Sequence, residues 1–479
     1  MKYKHVLFLN PYIESTATSI MGLFPPTGLE YVATAAKGLT ERITLLDLRY
    51  EKELADKNKL FEFIKKDVDL ICVGIGWDRQ FDQICQLINE IPAGAPLVVG
   101  GYKATEQVEN LFGICPRIDV IVRGEGEDAT KDILKGKPLP EIQGVSFRKG
   151  REVVHNANRP LADIDTLIYP DRTLRRNTYR MALNGMPVSK LTFDSVLSAR
   201  GCPFKCKFCT FSLNPLGQKR NYSKRNVKSV IKEIEELSAG AVLFSDDNFF
   251  ADIKRAEEIC DLIIERGIKK RFIAQARIEI SNYPELLRKM VKAGFKILLM
   301  GIESPHDRIL KLINKGFDSA GIRRAFDELR KHDIYYHGYF IYGNITETEE
   351  EMLCIAKFAK EIGLDSITFQ KLRIEKFSPL KEIALATPGY HVTERGELYS
   401  DTYSHAALKK IGRKIKFTFF TFPQLFKAAH KLIRIRFLTG GELFSFFWGG
   451  PRLTLGILRR EIEKKRLGDS LKRIFIKNA

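Results

Sequence analysis

Cysteine is scarce in this chain, with 8 among 479 residues. That density excludes a disulfide-built scaffold. No uninterrupted run of 18 apolar residues occurs, which argues against a spanning helix. The nearest approach, 437–458, is broken by Glu442, Pro451, Arg452 and several glycines. The opening residues MKYKHVLFLNP lack an apolar core followed by a small-residue cleavage site, so the expectation is a reducing, cytoplasmic protein. Histidine is absent from residue 6 to residue 154, which removes imidazole as a ligand or base across that stretch. Internal repeats and low-complexity runs are missing as well.

What is present is an ordinary globular mix of 44% hydrophobic and 29% charged residues, long enough for two or three domains. The net charge is +19, from 78 Lys and Arg against 59 Asp and Glu. Such an excess points to an anionic partner, either nucleic acid or a membrane surface.

In the N-terminal region, short apolar runs at 5–10, 42–48, 69–76, 96–101 and 118–124 alternate with helical spacing at 28–39, 52–66, 79–91 and 104–113. That alternation predicts a doubly wound parallel sheet of the flavodoxin-like order, with a ligand beyond the C-terminal strand ends. Those ends carry Pro25-Pro26-Thr27-Gly28, Gly74-Ile75-Gly76, Gly100-Gly101 and Gly124-Glu125-Gly126-Glu127. One glycine pair alone reads as a tight turn. Several together read as a crevice for a bulky cofactor.

Residues 195–212 read SVLSARGCPFKCKFCTFS, with Cys202, Cys206 and Cys209 spaced C-x3-C-x2-C. No fourth cysteine follows until Cys260. Structural zinc and ferredoxin clusters usually take four protein ligands. Three thiolates leave one iron of a [4Fe–4S] cluster open. Beyond this loop, strand candidates at 195–200, 241–246, 271–277, 296–302, 335–342 and 365–371 alternate with helical segments at 227–238, 253–266 and 348–362. Their ends carry Asp246, Asp247, Gln275, Arg277, Gly301, Glu303 and Gly343. Singly, each has a structural reading: Asp247-Asn248 could cap a helix, and Glu303 could pair with a lysine.

The three-cysteine loop, with Phe208 before its third cysteine, resembles the signature of radical SAM enzymes. The GEGE run at 124–127 and the PPTGLEY segment resemble the cobalamin-binding-like N-terminal domain of one subclass of that family. The resemblance implies a cobalamin-binding-like domain at 1–149, a linker at 150–190, a partial (β/α)6 barrel at 191–385 and a basic, aromatic, mainly helical region at 386–479. It implies that Cys202, Cys206 and Cys209 hold a [4Fe–4S] cluster. S-adenosylmethionine would be bound by Asp246 and Asp247 at its ammonium, and by Gln275, Arg277 and Glu303 at its ribose or carboxylate. Gly301 and Gly343 would admit the adenosyl group. Thr27, Gly28, Gly76, Gly101, Gly124, Glu125 and Gly126 would line a cobalamin site.

Two departures stand out. The Asp-x-His-x-x-Gly motif of histidine-ligated cobalamin proteins is missing, and GNITET at 343–348 lacks the Pro and second Gly of the family's fifth-strand G-x-P-G-E-T. The implied reaction is reductive cleavage of S-adenosylmethionine to a 5′-deoxyadenosyl radical, with methylation of an unactivated carbon, on a small-molecule or lipid substrate. A reductant such as flavodoxin or ferredoxin would supply the electron. Alternatives are oxidative cyclisation or rearrangement without methyl transfer, a tRNA methylthiotransferase with a second cluster, and a non-catalytic Fe–S membrane scaffold. The second cluster would need Cys72, Cys85 and Cys115, whose local sequences do not match.

The charge is localised. Residues 402–479 hold 18 Lys and Arg against 4 Asp and Glu, a net +14, and 10 of the 32 Phe. KIKFTFFTFPQLFKAAHKLIRIRFL (414–438) interleaves cations with apolar residues, and FSFFWGG (444–450) adds an aromatic cluster. Two readings stay open: a helical layer over the barrel with a solvated basic face, and docking on the anionic inner face of the cell membrane. Nucleic acid is the weaker third.

Overall fold

Strands covered by helices on both sides are apolar on both faces, and the N-terminal strands show this directly. All six residues of HVLFLN are buried in β1 (His5–Asn10). The computed structural model describes residues 1–12, 24–51, 53–183, 186–209 and 214–441. The aromatic run 444–450 and the basic residues after 441 lie outside the described residues.

β1 is followed by α1 (Thr27–Ala35), β2 (Arg42–Asp47), α2 (Lys57–Asp67), β3 (Leu70–Gly74), α3 (Phe81–Glu90) and β4 (Leu97–Gly100). Next come α4 (Tyr102–Glu106), α5 (Val108–Ile114), β5 (Val120–Val122), α6 (Glu127–Leu134), β6 (Val145–Lys149) and β7 (Glu152–His155). The sheet order is β2-β1-β3-β4-β5-β6-β7. The first five strands are parallel and the last two antiparallel. The doubly wound order expected from the alternation is therefore present. Its two faces carry separate cores, one around Ile71, Val73 and Ile88, the other around Leu70, Cys72 and Ile133.

The second sheet begins with β8 (Arg180–Leu183) and β9 (Met186–Val196), followed by a two-residue ladder of β10 (Ala199–Arg200) and β11 (Ser223–Lys224). Then follow α7 (Val227–Glu236), β12 (Ala241–Phe244), α8 (Ile253–Glu265), β13 (Arg271–Ala276), α9 (Pro284–Ala293) and β14 (Phe295–Glu303). The unit continues with α10 (Asp307–Leu312), α11 (Ser319–Leu329), β15 (Tyr335–Tyr342), α12 (Glu349–Glu361) and β16 (Ser366–Lys371). Its order is β16-β15-β14-β13-β12-β9-β8, with six parallel strands and β8 antiparallel at one edge. This is the expected half-barrel. Two features differ from the sequence reading. β7 and β8 form inside 150–190, as short edge strands whose few residues carry no periodic signal. β9 also starts nine residues earlier than 195.

The last elements are α13 (Leu380–Ala386), a hairpin of β17 (Tyr390–Val392) and β18 (Leu398–Ser400), α14 (His405–Phe419) and α15 (Phe422–Arg434). Leu408, Ile411, Ile415 and Phe419 of α14 join the barrel's outer core. Ala428 of α15, with Ile435, Phe437 and Leu438 just after it, packs on the opposite face of the sheet beside Phe193, Ala241 and Ile297. Over the described residues the basic region is thus a helical layer on the barrel. No helix among the described residues is long and apolar enough to cross a membrane.

Gly101 shows why one strand end must be glycine. Its φ is +106°, and a Cβ there would stand 2.6 Å from the Ile75 carbonyl oxygen. That oxygen also accepts the Lys103 amide at 3.0 Å. Gly101→Ala should therefore cost about 2 kcal/mol or more, from positive φ and backbone collision together. Urea denaturation measures this, and a loss under about 0.5 kcal/mol would contradict the geometry.

Candidate functional site: the cavity between the two sheets

The C-terminal ends of both sheets face one cavity of about 660 Å3. One wall is the glycine-rich edge: Thr27, Gly28, Gly76, Gly101, Gly124, Glu125 and Gly126 all line it. The other wall comes from the barrel, through Leu197, Arg200, Leu243, Ser245 and Asp247. A Cβ added to Gly28 or Gly76 would meet nothing within 4 Å, so at both positions bare backbone faces open space. Apolar side chains such as Phe24, Val32 and Val98 complete the lining. Among the described residues, no histidine lines the cavity.

The two walls are joined by charge. Arg200 donates to Glu125 and Glu127, both at 2.8 Å. Arg220 donates to the same Glu125 oxygen at 2.6 Å, and the Ala162 amide donates to the other at 2.8 Å. Burial alone would lower the Arg200 pKa, but the two carboxylates outweigh it and hold the guanidinium above its ordinary range. Glu125 borders the cavity, yet its carboxylate is occupied by protein. Thr27 reaches across as well, with its Oγ1 2.5 Å from Oγ of Ser195.

The segment leading into the thiol loop is held from the barrel side. Asp246 is fully buried and accepts from the amides of Ser198 (2.6 Å) and Ala199 (3.0 Å) and from the Ser198 hydroxyl. Both of its oxygens are used, and it does not line the cavity. The structure gives Asp246 a positioning task where the resemblance implied ligand contact. Asp247 does line the cavity, and accepts from the Gly201 amide at 2.7 Å. Burial raises its pKa to about 6, with Asp246 adding to the shift and the Gly201 amide and Arg200 opposing it.

Cys202, Cys206 and Cys209 stand on the loop that follows, and none forms a disulfide. The Cys209 amide donates to the Cys206 carbonyl at 3.2 Å, which folds the loop into a turn. Arg277 donates to Cys206 Sγ at 3.6 Å and stacks 3.7 Å from the Phe204 ring centroid. Burial raises the Cys202 pKa, and the nearby Cys206 adds to that shift. The turn after α10 straps the loop: Lys207 N to Ile313 O at 2.9 Å, Asn314 Nδ2 to Lys205 O at 2.8 Å. Among the described residues, no three His, Cys, Asp or Glu side chains already converge as a metal-holding group. The donor chemistry nonetheless suits an iron–sulfur cluster. Three cysteine thiols share one turn, and a buried guanidinium stands beside Cys206 to offset thiolate charge.

The remaining expected contacts divide. Strand alternation puts Gln275 and Gly301 on the same barrel face as Ile273, Ile297 and Leu299. Glu303, with φ +69°, is ion-paired to Lys315 at 2.9 Å. The space left by the missing Gly301 Cβ is filled by that pair, whose Glu303 Oε1 would lie 2.7 Å away. Gly343 (φ +71°) has Leu408 of α14 at 3.1 Å from its notional Cβ. Neither glycine is among the residues lining the cavity. In GNITET, Glu347 folds back to accept from the Asn344 amide at 2.8 Å and side chain at 3.0 Å. Lys315 and Arg220 were not singled out in the sequence; only their carboxylate partners sat at recognisable strand ends.

Cys72 lies on one face of the first sheet, whereas Cys85 and Cys115 lie in the core of the other. Cys115 Sγ approaches the Cys85 carbonyl at 3.8 Å. The sheet separates them, so they cannot hold one cluster.

A carboxyl whose folded-state pKa is raised stabilises while protonated. For Asp247 that contribution is complete below about pH 4 and is lost as pH rises through about 6. Asp247→Asn cannot ionise, so wild-type stability should fall relative to this variant between pH 4 and 6 in urea titrations. A pH-independent difference would refute the buried ionisation.

Residues 196–359 match the model of the Radical SAM superfamily. An uncharacterized methyltransferase of Pyrococcus horikoshii is 29% identical over 391 residues, covering 77% of this chain and 80% of that protein. The hopanoid C-2 methylase of Rhodopseudomonas palustris is 25% identical over 311 residues, 63% of this chain and 54% of the methylase. Among solved structures, the radical S-adenosylmethionine methyltransferase TsrM from Kitasatospora setae, with cobalamin and a [4Fe-4S] cluster bound, matches with a TM-score of 0.64. That likeness has 19% identity and covers 81% of this chain and 77% of TsrM, and it establishes a shared fold.

Proposed function

This chain is an enzyme of the radical SAM superfamily, and we propose that it methylates an unactivated carbon with cobalamin held between its two sheets. The carrying observation is the single cavity shared by the glycine-rich strand ends and the barrel mouth. When bound, the [4Fe–4S] cluster, S-adenosylmethionine and cobalamin supply the electron, the radical source and the methyl carrier. Cys202, Cys206 and Cys209 would hold the cluster, and Arg277 offsets its charge. Asp247 offers a cavity-facing carboxylate to an ammonium group, while Gln275 and the Glu303–Lys315 pair supply polar contacts from the barrel strands. Gly28 and Gly76 admit a bulky ring to the backbone, and the Phe24, Val32 and Leu243 lining excludes water.

Cobalamin held here would find no histidine among the described residues of the cavity lining. The protein should therefore bind cobalamin, and in the cob(II)alamin state its EPR spectrum should lack nitrogen splitting from a protein imidazole. Failure to retain cobalamin reduces the reading to a radical SAM reaction without methyl transfer, such as oxidative cyclisation. Anaerobically reconstituted protein should carry about four irons per chain. It should cleave S-adenosylmethionine under reduction, and lose both properties on Cys206→Ser. Transfer of a deuterated methyl group into a lipid extract tests the reaction itself.

A lipid or other hydrophobic substrate is favoured by the hopanoid methylase among the relatives and by one surface feature. Phe417, Phe422, Leu425 and Phe426 are 74%, 81%, 51% and 67% exposed, beside the exposed cations Lys416 and Lys427. Such a face suits an anionic bilayer interface. Replacing Phe422 and Phe426 by Ser should lower binding to phosphatidylglycerol vesicles several-fold without loss of stability, since neither ring is buried. Unchanged vesicle sedimentation would exclude this face.

A further inference from the structure

α14 carries two faces of opposite chemistry. Leu408, Ile411, Ile415 and Phe419 are buried against the barrel. Beside that stripe, His405, Lys409, Gly412 and Lys416 recur at helical spacing, with Arg413 adjacent. This second face walls a cleft of about 580 Å3. Lys371, the last residue of the edge strand β16, contributes from the other element, and the rings of Tyr342 and Phe369 line the cleft between them. The two rings meet edge-on with centroids 5.9 Å apart. Gly412 lets this aromatic surface reach the helix, because a Cβ there would stand 2.5 Å from the Tyr342 hydroxyl.

Three of the four cations around the cleft are uncompensated among the described residues. Lys414, on another side of the helix, is paired with Glu349 at 2.6 Å. Among the described residues, Lys409, Arg413 and Lys416 have no carboxylate within ion-pair distance, whereas Lys371 is paired with Glu397 at 3.9 Å. Nδ1 of His405 is buried without a hydrogen-bond partner. Four cations around one concavity repel each other. A bound anion relieves the repulsion. The aromatic lining is left for an apolar group attached to that anion.

We propose that this cleft binds an anionic amphiphile. Its phosphate or carboxylate head would sit among Lys371, Lys409, Arg413 and Lys416, and its first apolar carbons against Tyr342 and Phe369. The cleft shares no lining residue with the cavity between the sheets, so this site is independent of the cofactor reading.

The test uses the full chain without cofactors and three probes: dodecyl phosphate below its micellar concentration, inorganic phosphate, and phosphatidylcholine vesicles with or without phosphatidylglycerol. Calorimetry should show dodecyl phosphate binding at least about tenfold more tightly than inorganic phosphate. Lys409→Ala/Arg413→Ala/Lys416→Ala should weaken it about tenfold or more, and Lys371→Ala, on a different element, should weaken it in the same direction. Lys228→Ala/Lys232→Ala/Lys254→Ala removes equal charge from exposed positions elsewhere and should leave it unchanged. Vesicle binding lost by Lys371→Ala, which lies off the exposed phenylalanine face, as well as by the α14 triple variant assigns a lipid headgroup as the source. Binding of monomeric dodecyl phosphate without vesicle binding assigns a free amphiphile. Equal affinity in wild type and α14 triple variant, or in dodecyl and inorganic phosphate, overturns the proposal.

Discussion

The four residues preceding the first loop cysteine are where the structure is fastened. Asp246 holds the amides of Ser198 and Ala199, Asp247 holds Gly201, and Glu125 with Glu127 holds the Arg200 side chain. Two of these carboxylates come from the barrel and two from the N-terminal sheet. The position of the thiol loop and the docking of the two sheets are therefore one problem with one solution. A buried ion pair is a poor source of net stability but a strict source of geometry, because breaking one partner strands a charge. Arg200 is 18% exposed and has three neighbours that depend on it: the two glutamates and the Tyr31 ring 5.6 Å away.

The same economy of charge recurs along the interface. Arg175, in the segment between the sheets, bridges Glu30 of α1 and Asp194 of β9 at 2.5 and 2.6 Å. Arg373 after β16 pairs with Glu106 at 2.8 Å, and Lys103 binds that glutamate from the other side at 2.6 Å. Together with the Arg200 ties, these pairs clamp the N-terminal sheet to the barrel. A cavity built this way keeps its walls in register while its apolar lining stays free of protein hydrogen bonds. That suits a large ligand whose polar groups are few on the faces it buries.

The basic region serves architecture first. One side of α14 belongs to the barrel core, and α15 with the residues after it fills the other side of the sheet at Phe193, Ala241 and Ile297. What remains outward is charge and exposed phenylalanine. The nine Lys and Arg of residues 402–441, unmatched by any Asp or Glu in that stretch, therefore sit on an integral layer of the fold, next to the edge strand of the barrel.

Much of this was legible in the chain. Continuous apolar runs such as HVLFLN and LICVG can only be strands covered on both faces, and their order followed from alternation with helices. The cysteine spacing stood out because so few cysteines compete with it, and every glycine-edge residue named for the cofactor crevice lines the cavity. What the chain alone left undecided was the allocation of carboxylates. Asp246 and Asp247 are adjacent in sequence and identical in chemistry, yet one is spent on backbone amides and the other faces the cavity. Glu125 reads as a ligand of a crevice and serves as a tie to Arg200 and Arg220. Gly301 and Gly343 read as openings and are filled by Glu303–Lys315 and Leu408. Local pattern fixes which backbone forms, because propensity and burial act on neighbours in sequence. Which partner a buried charge finds depends on residues 50 or 100 positions away, and only tertiary packing brings those together.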